Sequence, residues 1–558
     1  MKNDLLKRII CILMCFVFAV SFIGCKDDTQ DKQKTPAKQD TTSQSTDSTS
    51  SSDDVSSDDA SSDNVSSSDN VSSSGNASSS DDNVFFEEDF GSSVPTINIE
   101  DIFWNDGTSD GGTSADGEDN TDALYGINNM FDGNNKTYWA LNKNKTTTVT
   151  FSLEKEKSFN TIIFEEVSGA ITDYIVELKQ GNEWVQVYRQ DQMGSRTGVL
   201  DKTFTAKDVR LTVTTNNTNS GGIAEIKFEL VDGFTNMSGF ANVGYYTAKR
   251  MEKLRAKNYS ELHGLTDIIF FNYGAFTIGG DFLWGQAGED SENIYDEQFL
   301  QEIMAETKEV LAGEPMRMWF SLGNYHPETT TDNALLFGTE EARQKLTKFC
   351  VELCDKYGFY GIDIDYEFPT KNTENPDLAW ANYNKFIRCV GKALHAKGYK
   401  FSAALPPWGS VIEPETVQYI DRVNAMVYDS RDVRGNHSPY ANVVRSINYY
   451  LDLGFDRSQI IVGIPFYEHK TEDNTSGMTY EWVISRWRDA IKPWTNIAYS
   501  GTSTHYFNGP IMVRDKVFYC MQQRIGGVFC WVMGADVPDS DPRSLSLTVE
   551  NTIKRFSK

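Results

Sequence analysis

The chain has 558 residues, room for three or four folding units of roughly 150 residues, but its first hundred residues have the composition of none of them. Its 52 Lys and Arg against 80 Asp and Glu give a formal charge of −28, which repels a phosphate backbone and removes the counterion release that drives nucleic-acid binding, so no nucleic-acid partner is expected. Aromatic residues make up 12%, and most lie beyond residue 100, where they can fill large cores or offer flat faces to sugars.

Residues 1–24 carry Lys2, Lys7 and Arg8, an apolar run from Ile9 to Ile23, and then Gly24 before Cys25. That order is a secretory signal ending at a cysteine. An uncleaved membrane anchor is the other reading, since the run is near the roughly 18 apolar residues a span requires. Phe22-Ile23-Gly24-Cys25 resembles a bacterial lipobox with Phe22 in place of the usual Leu, and the resemblance implies a lipid on Cys25. Residues 25–95 read as a disordered Ser/Asp-rich tether. Between Lys26 and Pro95 there are 16 acids and 4 bases, with too little apolar surface to offset the entropy of ordering. The protein is therefore expected to be exported, lipid-anchored, facing outward from the cell surface and monomeric. Beyond Cys25 the cysteines are Cys350, Cys354, Cys389, Cys520 and Cys530; an odd number argues against a disulfide framework, and none has zinc-like spacing.

Residues 96–232 hold short β-type runs divided by turn clusters, among them Thr146 to Leu153, Thr161 to Val167, Tyr174 to Lys179 and Val209 to Thr214. This is the pattern of an antiparallel sandwich. Asn129 to Trp139 (NMFDGNNKTYW) and Gly222 to Leu230 (GIAEIKFEL) resemble the discoidin-like, factor V/VIII type C family, which includes many carbohydrate-binding modules. The resemblance implies a sugar-binding module and a structural calcium held by Asp132, Asn135, Thr137 and Glu225; an ordinary loop without metal is the other reading.

From Phe240 to Lys558 strand runs alternate with helical periodicity, so repeated strand-helix units and a parallel sheet are expected. The strand candidates begin at Phe240, Asp267, Arg317, Phe359, Phe401, Val423, Ile460 and Gly527. Eight such units over residues 240–558 suit a (β/α)8 TIM barrel of about 250 residues plus insertions, with its active site at the C-terminal ends of the strands. The fold class is thus α/β, with an all-β sandwich ahead of it and a barrel that begins near Phe240 and folds by itself.

The fourth strand reads Tyr360-Gly361-Ile362-Asp363-Ile364-Asp365-Tyr366-Glu367. Alternate residues share a face, so Asp363, Asp365 and Glu367 project together, each about 6.6 Å from the next. The apolar set Ile362, Ile364 and Tyr366 must meet the helices, which leaves three carboxylates on the barrel axis. Burying them is costly unless they share protons or find partners. Such a stack suits a site where Glu367, at the exit, donates a proton to a leaving oxygen. A divalent-metal site is the rival reading of three acids at this spacing.

YGIDIDYE resembles the DxxDxDxE signature of glycoside hydrolase family 18, the chitinases and endo-β-N-acetylglucosaminidases. Further segments resemble that family's motifs in order: Ser321-Leu322-Gly323-Asn324, Met426-Val427-Tyr428-Asp429, Gly463-Ile464-Pro465-Phe466-Tyr467, and Gly526-Gly527-Val528-Phe529-Cys530-Trp531. Tyr360, Asn324 and Glu468 depart from the family pattern. The resemblance implies a retaining hydrolase of β-1,4-linked N-acetylglucosamine without a carboxylate nucleophile, in which the substrate's 2-acetamido oxygen attacks the anomeric carbon. Glu367 is then acid and base, Asp365 orients the acetamido group, Asp363 shares its proton, and Tyr428 bonds the acetamido oxygen. Trp531 is the floor under the reacting sugar, with Met426, Asp429, Tyr246, Trp408 and Tyr467 as further substrate contacts. No catalytic cofactor is implied. The substrate is a chitin-like polymer, an N-glycan chitobiose core or peptidoglycan; a glycan-binding lectin that has lost catalysis and a metal-dependent barrel enzyme are the readings from other classes.

Overall fold

The computed structural model describes residues 125–558, apart from 168, 193, 217–220, 258, 263, 286–294, 314, 324–331, 367–368, 370–372, 433 and 471–476. The signal and tether expected over 1–95, Cys25 included, lie outside the described residues.

The sandwich is one bent antiparallel sheet of β1 (Trp139–Leu141), β2 (Thr146–Val167), β3 (Ile171–Gln180), β4 (Glu183–Gln190), β5 (Arg196–Thr215) and β6 (Gly221–Glu229), in the order β1-β6-β2-β5-β3-β4. Two runs expected as separate strands, Thr146 to Leu153 and Thr161 to Val167, are one strand of 22 residues. Register shifts near Ser152 and Phe159 let it bend, because an extra residue increases local twist. Alternate apolar residues then enclose a core of edge-to-face rings: Phe164 lies 4.9 Å from Tyr174, and Phe159 lies 4.9 Å from Phe228.

The eight expected strands close into a parallel barrel: β7 (Ala241–Thr247), β8 (Asp267–Phe271), β11 (Arg317–Leu322), β12 (Gly361–Asp365), β13 (Lys400–Leu405), β14 (Arg422–Ala425), β15 (Ile460–Pro465) and β19 (Gly527–Trp531). The pairing runs β11-β12-β13-β14-β15-β19-β7-β8, so the last strand meets the first and no edge is left open. Helices α1 (Ala248–Ala256), α2 (Glu297–Leu311), α3 (Glu340–Tyr357), α4 (Pro376–Ala396), α5 (Pro414–Val417), α6 (Tyr440–Asp452), α7 (Tyr480–Trp487), α8 (Pro510–Gln522) and α9 (Leu545–Phe556) accompany the strands. Helix α3 shows why the boundaries fall where they do. Its N-cap Thr339 accepts the Ala342 N–H, and Gly358 ends it in the left-handed region at φ 71°.

Small sheets decorate the barrel's upper side: β9 (Gly274–Phe276) with β10 (Phe282–Trp284), and the three-stranded β16-β18-β17 (His469–Lys470, Ser503–Tyr506, Ile497–Ser500) between β15 and β19. The five barrel cysteines are unpaired thiols, all buried except the half-buried Cys389. The segment ahead of Phe240 packs with the barrel: Phe234 bridges Ser557, and its ring lies 5.4 Å from Phe518. Nor are the two cores separate, since Val199 of the sandwich joins the barrel's core and Ile511 of α8 packs on the sandwich's core.

Candidate active site

Two members of the carboxylate ladder, Asp363 and Asp365, lie inside the barrel. Asp363 is fully buried in β12 and accepts four hydrogen bonds, from the adjacent β13 and β11 and from β7 and β14 across the barrel: Ser402 Oγ at 2.5 Å, Ser321 Oγ at 2.7 Å, Tyr245 Oη at 3.0 Å and Asn424 Nδ2 at 3.0 Å. Burial pushes its carboxyl up to about 6, against the downward pull of those donors. Asp365 stands two residues closer to the strand's C-terminal end on the same face and is 8% exposed. Ile362 and Ile364, on the other face, lie in the barrel core. Glu367, expected at the exit, lies outside the described residues.

Around this pair the other motifs supply walls. Trp531 ends β19, half-buried, its ring 5.7 Å from Tyr245 and 5.4 Å edge-to-face from Phe271. Tyr428, 7% exposed, packs 6.0 Å from Phe529 and 6.0 Å from Tyr467. Gly463 makes room for it: a Cβ there would come 2.8 Å from the Tyr428 ring and 2.6 Å from that of Phe529. Met426 is buried just past β14, and Trp408 is half-buried on the loop after β13, with the Arg445 guanidinium 4.2 Å from its ring centre.

Asp429 projects its carboxylate into the open, its side chain 54% exposed, from a backbone held at φ 53°. Its Oδ1 accepts from Tyr467 Oη at 2.5 Å and from His469 Nε2 at 2.6 Å, and its own N–H donates to Nε2 of the buried His437 at 3.1 Å. Partial burial alone would raise this carboxyl, but the nearby His437 imidazole and the bonds from His469 and Tyr467 hold it well below the usual carboxylate range. Burial pushes His437 down to about 4, so it is neutral at neutral pH. The three ligand-type atoms lie within 4.8 Å of one another, yet the Nε2 atoms of both imidazoles are already committed to Asp429. His437 Nε2 accepts an N–H, so its proton is on Nδ1. His469 Nδ1 lies 3.5 Å from Arg431 Nη2, a donor, so its Nε2 carries the proton given to Asp429. The triad is a hydrogen-bonded clamp on Asp429.

The expectation for Tyr246 is corrected. It is fully buried, and its hydroxyl donates to Glu261 at 3.1 Å on the helix side of β7. Its neighbour Tyr245 faces the axis, because successive strand residues point to opposite sides. Glu468 lies in no subsite: fully buried, it accepts from the Met478 N–H at 3.0 Å and stands 3.0 Å from His505 Nδ1, stapling the insertion after β15. Sequence reasoning missed Tyr245, Ser402, Asn424, His437 and His469. Ser402 and Asn424 carried a legible signal, as polar residues inside otherwise apolar strand runs.

In the sandwich, Asp132 Oδ1 accepts the Asn134 N–H at 2.8 Å and Oδ2 accepts the Thr137 hydroxyl at 2.6 Å, with Asn135 exposed on the same turn. Glu225 is 2% exposed and its Oε1 has no hydrogen-bond partner among the described residues. Burial raises its carboxyl; Lys227, whose Nζ lies 3.7 Å from Oε2, opposes that rise, and the charge of Asp132 adds to it. An orphaned buried oxygen beside a second carboxylate fits a hard cation.

The opposite end of the barrel is built for stability. Buried Asp267 accepts from Arg317 Nη2 at 2.6 Å, Trp319 Nε1 at 2.8 Å and Arg422 Nη1 at 2.9 Å. A groove of about 600 Å³ opens at this end beside Arg317, Tyr360 and Tyr399, on the side away from Asp365 and Trp531.

The model of the Glycosyl hydrolases family 18 matches residues 241–536, and that of the F5/8 type C domain matches residues 113–226. "Probable chitinase 10" of Drosophila melanogaster is 23% identical over 284 residues, 40% of this chain and 12% of that one. "Endochitinase 1" of Metarhizium robertsii is 24% identical over 280 residues, 41% and 64% of the two chains, so the match spans less than two thirds of either relative. "Uncharacterized glycosylase YvbX" of Bacillus subtilis is 24% identical over 253 residues, 39% and 71% of the two chains. Among solved structures, a chitinase from Bacteroides thetaiotaomicron aligns at 19% identity and TM-score 0.46 over 57% of this chain and 97% of that one. A plant class V chitinase mutant from Cycas revoluta, in complex with (GlcNAc)3, aligns at 18% and 0.45 over 56% and 99%.

Proposed function

Because the chain belongs to glycosyl hydrolase family 18, we propose that it cleaves β-1,4 linkages beside N-acetylglucosamine, with chitin-like polymers as substrate, retention of configuration and the substrate's acetamido group as nucleophile. The observation that carries this reading is the buried pair Asp363 and Asp365 on one face of β12 at the barrel's C-terminal end, with Asp363 held by four donors. In the first step Glu367 gives its proton to the leaving oxygen as the acetamido oxygen attacks the anomeric carbon. Asp365 faces the positive charge that develops on the acetamido group, and Asp363 beneath it takes up or releases the proton the pair shares. A water, deprotonated by Glu367, then opens the cyclic intermediate, so two inversions give retention. Tyr428 bonds the acetamido oxygen, Trp531 stacks on the sugar face, and Asp429 and Tyr467 contact substrate at the mouth. The chitinase names of curated relatives support the choice of substrate.

The same reading makes residues 1–24 a signal, Cys25 a lipid anchor at the cell surface and 25–95 its tether. Asp132, Asn135, Thr137 and Glu225 would hold a structural calcium that ties the 132–137 turn to β6. Mass spectrometry of products from chitohexaose, a high-mannose glycoprotein and peptidoglycan tests the reading. Cleavage of chitohexaose between N-acetylglucosamine units is the expected result, and three intact substrates would refute it.

A further inference from the structure

The sandwich is joined to the barrel by buried polar groups, which is unlike a module on a flexible leash. Asp515 of α8, fully buried, accepts the Tyr188 hydroxyl and, at 2.9 Å, the Val199 N–H, and lies 3.9 Å from the Arg196 guanidinium. The next residue, Lys516, is equally buried but turns to the barrel's own loop. Its Nζ donates to the Ser438 carbonyl at 2.6 Å, the Ser438 hydroxyl at 2.9 Å and Asn508 Oδ1 at 2.5 Å. Asn508 in turn donates to the His437 carbonyl at 3.0 Å. One helix therefore holds the sandwich with one residue and the His437 loop with the next.

The loop also touches the sandwich directly. Arg434 Nη1 donates to the Ile171 carbonyl at 2.9 Å, and the Arg196 guanidinium lies 5.5 Å from the Tyr440 ring. Asp429 opens this loop and His437 accepts its N–H. A buried ammonium is costly unless it is hydrogen-bonded, so the three bonds of Lys516 tie α8 to the loop that carries Ser438.

We infer that the sandwich is a brace for the active site: by clamping α8 and residues 434–440, it holds Asp429 where substrate meets it. Arg434 is a positioning residue, acting through Asp429 and touching no substrate. The inference rests on the proposed reaction, in which Asp429 contacts the sugar.

The test is a double-mutant cycle in the full chain with chitohexaose as substrate. Arg434→Ala should lower kcat/KM by about three- to thirtyfold, the range of coupling carried by packed networks. Arg434→Lys should restore most of it, and Tyr188→Phe, a change made wholly within the sandwich, should lower it in the same direction. In an Asp429→Asn background Arg434→Ala should cost less than about twofold, because residues acting through one another are not additive. Lys179→Ala, on the sandwich's exposed surface, should leave the rate alone. Equal losses from Arg434→Ala in both backgrounds, or unchanged kcat/KM in Arg434→Ala and Tyr188→Phe, would overturn the brace while leaving the reaction standing. A wild-type chain that cleaves no N-acetylglucosamine polymer would overturn both.

Discussion

Tyr245 donates its hydroxyl to Asp363 Oδ2 at 3.0 Å while accepting from Asn424 Nδ2 at 2.8 Å. It is therefore oriented from one side and spends its only proton on the buried carboxyl. That proton is one of four opposing the upward push of burial on Asp363. Tyr245→Phe removes it, so the carboxyl should rise further above about 6. Catalysis that depends on negative charge in the Asp363 and Asp365 pair is lost as pH falls through the pair's titration. The acid limb of the kcat profile should accordingly move to higher pH, with kcat near pH 6 reduced about tenfold, as expected for one hydrogen bond to a charged group. An unmoved acid limb in Tyr245→Phe would exclude this coupling.

At the far end of the barrel Asp267 has the opposite balance. Burial raises its carboxyl, but Arg422 and Arg317 outweigh burial and hold it below its ordinary value. Its stabilising contribution is present above the unfolded carboxylate range and disappears as pH falls through the lower folded value. Arg422→Met should cost about 3 kcal/mol or more by chemical denaturation at pH 7, the penalty for a buried charge deprived of a partner. The loss should shrink toward pH 3, and kcat of the folded variant should stay at the wild-type level because the site lies at the other end.

A barrel starting at Phe240 loses the Tyr188 and Val199 donors to Asp515, and with them the contacts of Phe234 with Phe518. The expectation that such a piece folds and works unaided is therefore revised. It should melt well below the full chain and cleave even small soluble chitin oligomers poorly. Equal melting temperature and kcat/KM for the two would restore the view of the sandwich as an independent module.

Chelation should act on the sandwich alone. With the Glu225 carboxyl buried and its Oε1 unpartnered among the described residues, loss of the proposed calcium would leave Glu225 and Asp132 repelling each other, with only Lys227 to offset them. EDTA should lower the melting temperature and added calcium should restore it, while initial rates at 25 °C stay constant. Glu225→Gln should make the melting temperature insensitive to both.

The eight barrel strands were legible because short β-type runs alternate with helical periodicity, and the ladder was legible because a strand's period of two puts Asp363 and Asp365 on one face. The choice between Tyr245 and Tyr246 was not. Both faces of a barrel strand are buried, so alternation alone does not say which tyrosine meets the axis. The clamp of His437 and His469 on Asp429, and the bond from Tyr188 to Asp515 across 327 positions, were invisible for a different reason. His437 reaches Asp429 across an irregular loop of 8 residues that has no readable period, His469 meets it only once β14 and β15 pair, and Tyr188 meets Asp515 only where the sandwich docks on α8.

The nucleophile separates the proposed mechanism from other retaining glycosidases. If the acetamido oxygen attacks, the transition state carries positive charge on a ring resembling an oxazolinium ion, and Asp365 must be ionised as that charge grows. A thiazoline analogue that accepts a proton in the site should then inhibit strongly. Asp365→Asn should weaken its binding and slow turnover together, since the lost interaction is one that strengthens toward the transition state. Glu367→Gln should reduce turnover by about 10² or more, the usual general-acid contribution, yet still bind the sugar. A substrate identical except for the 2-acetamido group should be inert. Its efficient hydrolysis, or a sugar trapped covalently on a side chain, would place the nucleophile on the protein and sink the proposal.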